Sequence, residues 1–111
     1  MNVMADLHYT REKFAAGVTI LTTDPGRIKE RLDRAYAEQV VFATLEDPTN
    51  IELSAAVADV HRTMNRGARV GAPTIETMNE DEAIEVAQDI MYIAEGLRSA
   101  CRGEQVGWGL H

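Results

Sequence analysis

The residues whose types and spacing could support chemistry are acids in the C-terminal half of the chain. Glu82, Glu85 and Asp89 follow one another at three- and four-residue spacing, so a helix places their carboxylates on adjacent turns. Carboxylate oxygens in such an arrangement suit a hard ion such as Mg²⁺. In a chain that is 26% charged, the same spacing also arises on a solvated helix face. We expect no metal and no other cofactor, and keep these three acids as the alternative metal site.

A second pair of acids extends that alternative. The segment Glu82–Glu85 has the pattern ExxE, and the segment Glu30–Asp33 has the pattern ExxD. These patterns resemble the two acidic pairs of all-α nucleotide pyrophosphohydrolases of the MazG family. The resemblance implies a metal-dependent hydrolase, but the two pairs stand here in reverse order and at a different spacing. The chain is therefore not assigned to that family, and we predict a protein that is not an enzyme.

An anion site is the next chemistry that the sequence raises. The stretch Gly17–Leu32 reads as an apolar run, a turn and the start of a helix, where free amides could bind phosphate or another small anion. Against this interpretation, Pro25 has no amide to offer and Asp24 would repel an anion while capping the helix. A small-ligand site therefore stays an alternative. We predict instead that a basic stripe in this region contacts a protein partner: Arg27, Arg31 and Arg34.

Two further groups of residues are predicted to bind a partner. One is a basic patch at the end of the third segment and in the loop after it, formed by Arg62, Arg66 and Arg69. The other is the C-terminal segment 103–111, which alternates apolar and small residues and which we expect to dock on its own domain, in a dimer or on another protein. Its predicted contact residues are Val106, Trp108 and Leu110.

The remaining reactive side chains form no recognisable catalytic set. His8, His61 and His111 lack a second histidine or a cysteine at metal-ligand spacing. We predict that His61 lies at the boundary of the core. Cys101 falls on an apolar helix stripe and is expected to be a packed, unreactive thiol.

Helices must position these candidate residues. Three prolines divide the chain into four segments. Pro25, Pro48 and Pro73 each stand where a helix can begin or a turn can form. The first helix is predicted from about residue 10 to residue 22. The second begins at the Asp24-Pro25 pair, with Asp24 as its cap and a pair between Glu30 and Arg34 on its surface.

The third and fourth helices have the clearest apolar periodicity. The third, from about residue 49 to residue 65, has a stripe of Leu53, Val57, Val60 and Met64. The fourth begins with a capping box formed by Asn79 and Glu82. Its apolar stripe is flanked on one side by Ile84 and Met91 and on the other by Val86 and Ile93. The stripe itself is Ala83, Ala87, Ile90, Ala94, Leu97 and Cys101. Such a wide apolar face predicts a helix that is central in the bundle or shared with a second subunit.

The fold predicted from these segments is an all-α, four-helix bundle-like single domain over residues 1–111. The alternative is an α+β fold in which Val18–Thr23 and Val40–Thr44 pair as two strands, because both stretches are rich in β-branched residues. A two-stranded element is marginally stable by itself, which favours the helical fold.

The composition of the chain excludes further classes of function. The chain has 111 residues, 45% of them hydrophobic, and a formal net charge of −7. Such a charge disfavours nucleic acid, and no apolar run approaches the roughly 20 residues that span a membrane. One cysteine fits the reducing cytoplasm. We therefore predict a small acidic cytoplasmic protein that binds a protein partner or forms a homodimer, as a regulator, an inhibitor or an antitoxin-like adaptor. Its size and charge would also suit an inhibitor encoded by a phage or a mobile element.

Overall fold

A computed structural model describes residues 3–65 and 77–103 of the chain. In these two ranges it forms four α-helices and one short 3-10 helix. The elements are α1 (Val3–Thr23), α2 (Ile28–Glu38), the 3-10 helix (Val40–Phe42), α3 (Ile51–Asn65) and α4 (Glu80–Cys101). The prediction of an all-α, bundle-like fold is confirmed. Across the described ranges, no helix is both long enough and apolar enough to cross a membrane.

The long helix α4 is central, as its wide apolar face predicts. It packs against α1, α2 and α3, and α1 also contacts α2 and the 3-10 helix. The predicted stripe of α4 faces the core: Ala83, Ala87, Ile90 and Leu97 are buried, and Ala94 and Cys101 are half-buried. The predicted stripe of α3 is buried as well. Burial of these aliphatic rows against one another is the main contribution to the stability of the fold.

The capping box predicted at the start of α4 is confirmed. The amide of Glu82 donates to the side-chain oxygen of Asn79 at 2.8 Å, and the Glu82 carboxylate accepts the amide of Asn79 at 3.2 Å. Glu80 and Asp81 add negative charge to the first turn, where it is favourable. Two backbone amides that the helix itself leaves unpaired are thus satisfied.

The predicted start of α2 is wrong. The helix begins at Ile28, after Arg27, and has no capping side chain. Asp24 instead continues the backbone hydrogen bonding of α1, because its amide donates to the Ile20 carbonyl at 3.1 Å. The cause is Gly26, whose φ of +108° lies in the left-handed region. This turn separates the Asp24 carboxylate from the first amides of α2, so that it cannot cap them.

The alternative with two strands is wrong for both stretches. Residues 18–23 form the last turns of α1, and residues 40–42 form the 3-10 helix. Threonine hydroxyls satisfy part of their hydrogen-bonding capacity inside α1: Thr19 donates to the Ala15 carbonyl at 3.2 Å and Thr23 to the Thr19 carbonyl at 2.6 Å. Tertiary packing therefore overrides the strand preference of these β-branched residues.

A close approach between α1 and the 3-10 helix accounts for the glycine inside α1. A Cβ atom added at Gly17 would lie 2.9 Å from Cγ2 of Val40, which is fully buried. Glycine lowers helix propensity, but here it lets the 3-10 helix pack directly against the backbone of α1. Gly17 therefore fixes how the connection after α2 crosses the first helix.

Candidate functional site

Two arginines of the predicted basic stripe bind the corner between α1 and α2. Arg31 Nη1 donates to the Leu21 carbonyl at 2.6 Å, which satisfies an otherwise unpaired carbonyl in the last turn of α1. Arg34 Nε donates to Oδ2 of Asp24 at 3.1 Å, and Arg34 Nη2 donates to the Pro25 carbonyl. Arg34 thus pairs with Asp24, where the sequence predicted Glu30. The two guanidinium groups on α2 thus bind the end of α1 and the turn after it, and so hold the two helices together at this corner.

The other predicted arginines are exposed or lie outside the described residues. Arg27 Nη1 lies 3.8 Å from Oε1 of Glu80, with both side chains largely exposed, and Arg62 pairs with Asp59 one turn earlier on α3. Exposed ion pairs of this kind add little stability. The predicted partner contacts that fall outside the described residues are Arg66, Arg69, Val106, Trp108 and Leu110, together with the predicted docking of residues 104–111.

The alternative metal site is not assembled. Glu82 uses its carboxylate in the capping box, while Glu85 and Asp89 lie exposed on the following turns. Within residues 3–65 and 77–103, no three side chains of His, Cys, Asp or Glu form a group that could hold a metal ion. Burial and the nearby charges of Glu85 and Asp59 raise the pKa of Asp89. The carboxylates of these acids therefore repel one another at the surface.

His61 takes part in a hydrogen-bond network that the sequence did not predict. The Tyr36 hydroxyl donates to Nδ1 of His61 at 2.8 Å, and Nε2 of His61 donates to the Ala43 carbonyl at 2.5 Å. Asn65 donates through Nδ2 to the Tyr36 hydroxyl at 2.9 Å. All of these bonds are satisfied together when His61 is neutral and Nε2 carries the proton.

This network joins α2, α3 and the chain between them and leaves His61 no free ring nitrogen. Burial raises the pKa of Tyr36, and the hydrogen bond from Asn65 offsets only part of the rise. A general base needs a nitrogen or oxygen that can reach a substrate. The network is therefore structural, and His61 lies at the edge of the core as predicted.

Asp47 organises the entry to α3 and is 4% exposed. Its Oδ1 accepts hydrogen bonds from the amide and the hydroxyl of Thr49 at 2.9 and 2.6 Å, and its Oδ2 accepts one from Nδ2 of Asn50 at 2.7 Å. Burial acts to raise the pKa of Asp47, but the hydrogen bonds from Thr49 and Asn50 outweigh it and the pKa is lowered. The carboxylate is therefore held ionised inside a closed turn.

The outer face of α4 presents a line of exposed apolar side chains. Ile84, Met91 and Tyr92 are 43%, 46% and 66% exposed. Ile84, Gln88, Met91 and Glu95 recur at spacings of four, three and four residues along one side of the helix. Tyr92 lies four residues after Gln88 on the same side. We call these five residues the α4 stripe: Ile84, Gln88, Met91, Tyr92 and Glu95. The sequence predicted Ile84 and Met91 as flanks of the core face, whereas in the structure they lie largely outside it.

A groove of about 420 Å³ follows the C-terminal part of the α4 stripe. The described residues that line it are Gln88, Met91, Tyr92 and Glu95. All four belong to α4, so the outer side of this helix forms one wall of the groove. Exposed apolar side chains along such a wall suit an elongated partner.

A second apolar patch lies where α1 meets the 3-10 helix. Tyr9 and Phe42 are 46% and 58% exposed, and the ammonium group of Lys13 lies 5.6 Å from the centroid of each ring. Lys13 Nζ also lies 3.5 Å from Oε1 of Gln39. The two rings thus already have a cation–π partner inside the chain.

The free thiol on α4 packs against the core, as predicted. Cys101 is half-buried, and burial raises its pKa, an effect that the charge of Arg11 opposes. A raised pKa leaves little thiolate at neutral pH, and the thiolate is the reactive form. Cys101 is therefore a packing residue.

Comparisons of the chain with protein-family models, with curated proteins and with solved structures find no match. Among the described residues, the α4 stripe is the surface that best suits a functional contact.

Proposed function

We propose that the protein is a protein-interaction domain and that it docks its partner on the α4 stripe. The observation that carries the proposal is the exposure of Ile84, Met91 and Tyr92 on one side of a helix whose other side forms the core. Burying such apolar surface in a complex is favourable. Methionine and tyrosine are enriched at the centres of protein interfaces.

The rigidity of α4 supports this choice of surface. The helix is fixed by its capping box at one end and by contacts with three other helices along its length. A partner that binds there does not have to order the docking surface, so little conformational entropy is lost on association. The side chains that the partner would contact are presented at fixed helical spacing.

The chemistry of the surface favours a protein partner over the alternatives. A net charge of −7 repels nucleic acid, and the exposed apolar side chains of the α4 stripe suit a protein surface. A role as a regulator, an inhibitor or an adaptor needs only this docking. The predicted contacts of Arg27 and Arg62 remain compatible with it, whereas Arg31 and Arg34 already serve the corner between α1 and α2.

The proposal is tested by selecting helical peptides from an unbiased display library against the folded protein. Selected peptides are then measured against the double variant Ile84→Gln, Met91→Gln. A matched control is Val41→Gln, Ile51→Gln, which removes two other exposed aliphatic side chains, 39% and 71% exposed, and leaves the net charge unchanged. We expect at least tenfold weaker binding to the first variant, because two apolar contacts are lost.

The control variant is expected to bind the same peptides as tightly as the wild type does. Equal binding to both double variants, or a selection that yields no binding peptide, would contradict the proposal. Circular dichroism and the melting temperature of each variant show that the comparison is made between folded proteins. Sedimentation of the free protein separates docking of a different protein from the homodimer that the sequence also predicts.

A further inference from the structure

We infer that the partner segment is a basic amphipathic helix. This inference rests on the docking surface proposed above and specifies what binds there. It comes from a row of acids that runs beside the α4 stripe at four-residue spacing, here called the acidic row: Asp81, Glu85 and Asp89. All three side chains are exposed. The next residue on this side of the helix is Tyr92, so the acidic row leads into the groove.

No salt bridge found in residues 3–65 and 77–103 neutralises the acidic row. The salt bridges found among the described residues join Arg27 to Glu80, Arg34 to Asp24, Arg62 to Asp59 and Arg98 to Glu95. None of them includes a member of the acidic row. Three like charges on successive turns of one helix repel one another. A partner that brings cations to this row would therefore relieve a repulsion that the free protein carries.

The neighbouring helix adds to the same negative field. The pKa of Asp89 is raised by burial, by the charge of Glu85 and, as the smallest of the three causes, by the charge of Asp59 on α3. The flank of the α4 stripe that faces α3 is thus acidic, with Arg62 already engaged by Asp59. Oppositely charged side chains on a partner would be attracted over several ångströms before contact.

The shape of the surface favours a helix as the partner segment. The segment from Ile84 to Glu95 has 12 residues, which extend over about 17 Å of α-helix. Side-chain rows on one helix form ridges and grooves into which the rows of a second helix fit. An amphipathic helix of about three turns or more would place its apolar residues on the α4 stripe. Lysines or arginines on one flank of that helix would then meet the acidic row.

Other occupants fit the charges less well. Anionic lipid headgroups would be repelled by the acidic row, as would a nucleic acid backbone. A second copy of this chain carries the same net charge of −7, so two copies gain no long-range attraction. Each of these occupants predicts a different result in the following test.

The test uses a display library of helical peptides with a fixed apolar stripe, whose flanking positions are drawn equally from Lys, Glu and Gln. The target is the full chain. We expect lysine to be enriched on one flank of the selected peptides. Binding of these peptides to the variant Glu85→Gln, Asp89→Asn should be about three- to tenfold weaker, from the loss of two exposed charge pairs.

The matched control is Glu12→Gln, Asp33→Asn, which changes the net charge equally but removes exposed acids on α1 and α2. It is expected to bind within about twofold of the wild type, since screening limits the effect of distant charges. Equal weakening in both double variants would overturn the specific role of the acidic row. Raising NaCl from about 0.05 M to about 0.5 M should weaken binding to the wild type more than to the Glu85→Gln, Asp89→Asn variant.

The outcomes separate this inference from the proposed function. The selected peptides could have Gln or Glu on their flanks and still bind the variant Ile84→Gln, Met91→Gln more weakly than the wild type. That result would overturn the inference of a basic partner but would support the docking surface. Peptides that bind both variants as tightly as the wild type would overturn the docking surface itself. Binding of the chain to anionic vesicles, or dimerisation that Met91→Gln abolishes, would assign the surface to a different occupant and overturn the inference.

Discussion

The Tyr36 hydroxyl lies 2.8 Å from Nδ1 of His61, and this contact joins α2 to α3 across 25 residues of sequence. The tyrosine is 8% exposed, and its hydroxyl also accepts a hydrogen bond from Asn65. The rings of Tyr36 and His61 meet edge to face, with centroids 5.6 Å apart. Because α3 also packs on α4, the pair helps to hold the helix that carries the proposed docking surface.

Replacing Tyr36 by phenylalanine is expected to lower the free energy of unfolding by about 1–3 kcal/mol. The change leaves Nδ1 of the half-buried His61 without its donor and takes one acceptor from Asn65, and an unpaired polar group that is shielded from water carries that cost. Urea unfolding at neutral pH measures this loss in the free energy of unfolding. The matched control is Tyr9→Phe, which removes a hydroxyl from an exposed ring. Equal losses in the two variants would contradict a special role for the contact between Tyr36 and His61.

Replacing Gly17 by alanine tests the close approach of Val40. Alanine gains about 1 kcal/mol of helix propensity over glycine, but the added methyl group meets Val40 Cγ2, and overpacking typically costs about 1–3 kcal/mol. In the Val40→Ala background the contact is relieved, and Gly17→Ala should stabilise the protein by about 1 kcal/mol. Unfolding measurements on the four proteins of this double-mutant cycle give the coupling. The same effect of Gly17→Ala in both backgrounds would show that the two residues do not interact.

The hydrogen bonds to Asp47 predict a loss of stability in acid. Because the folded-state pKa of Asp47 is lowered below the unfolded value of about 3.9, its contribution is complete above about pH 4. It is lost as the pH falls through the lower folded-state pKa. The variant Asp47→Asn brings an amide against Nδ2 of Asn50 and should be less stable at neutral pH by about 1–3 kcal/mol.

Unfolding of the wild type and the Asp47→Asn variant across pH checks this prediction. The difference between them should shrink as the pH falls below about 4 toward the lowered folded-state pKa, because the unfolded wild-type chain binds a proton there before the folded protein does. Glu46→Gln changes an exposed neighbour and is the control. A stability difference that stays constant down to strongly acidic pH would mean that the ionised form of Asp47 is not what the turn stabilises.

The raised pKa of Asp89 predicts the opposite dependence of stability on pH. Its folded-state pKa is raised by burial and by Glu85 and Asp59, so ionising it costs more in the folded protein than in the unfolded chain. Asp89→Asn should therefore melt at a higher temperature than the wild type at neutral pH, and the gain should vanish in acid below both pKa values. The same variant should bind a lysine-flanked peptide more weakly. A lower melting temperature at neutral pH would contradict the repulsion on which this prediction depends.

The sequence predicted those parts of the fold that depend on local spacing. The rows of apolar residues in α3 and α4 and the capping box of Asn79 and Glu82 were confirmed because partners three or four residues apart are fixed by the helix itself. The strand alternative at residues 18–23 failed because β-branched propensity was overridden by packing. Periodicity alone could not decide between the two structures there.

The contacts that spacing could not predict join residues distant along the chain. Arg31 reaches the Leu21 carbonyl only because Gly26 turns the chain back, and His61 meets Tyr36 only because α2 and α3 are brought together. The sequence likewise predicted a wide apolar face for α4 but did not predict which side of that face would remain exposed. That division depends on which three helices cover α4. The prediction of partner contacts at the arginines and at the C-terminal segment stays untested.

The most direct test of the docking surface follows the methionine methyl groups by NMR while a selected peptide is added. Met91 is 46% exposed in the α4 stripe, whereas Met64 and Met78 are 8% and 1% exposed in the core and serve as internal controls. If the partner docks on the α4 stripe, the Met91 methyl signal should shift with the same dissociation constant as the peptide, and the two core signals should move little. Saturating peptide that leaves the Met91 signal unchanged would contradict the account.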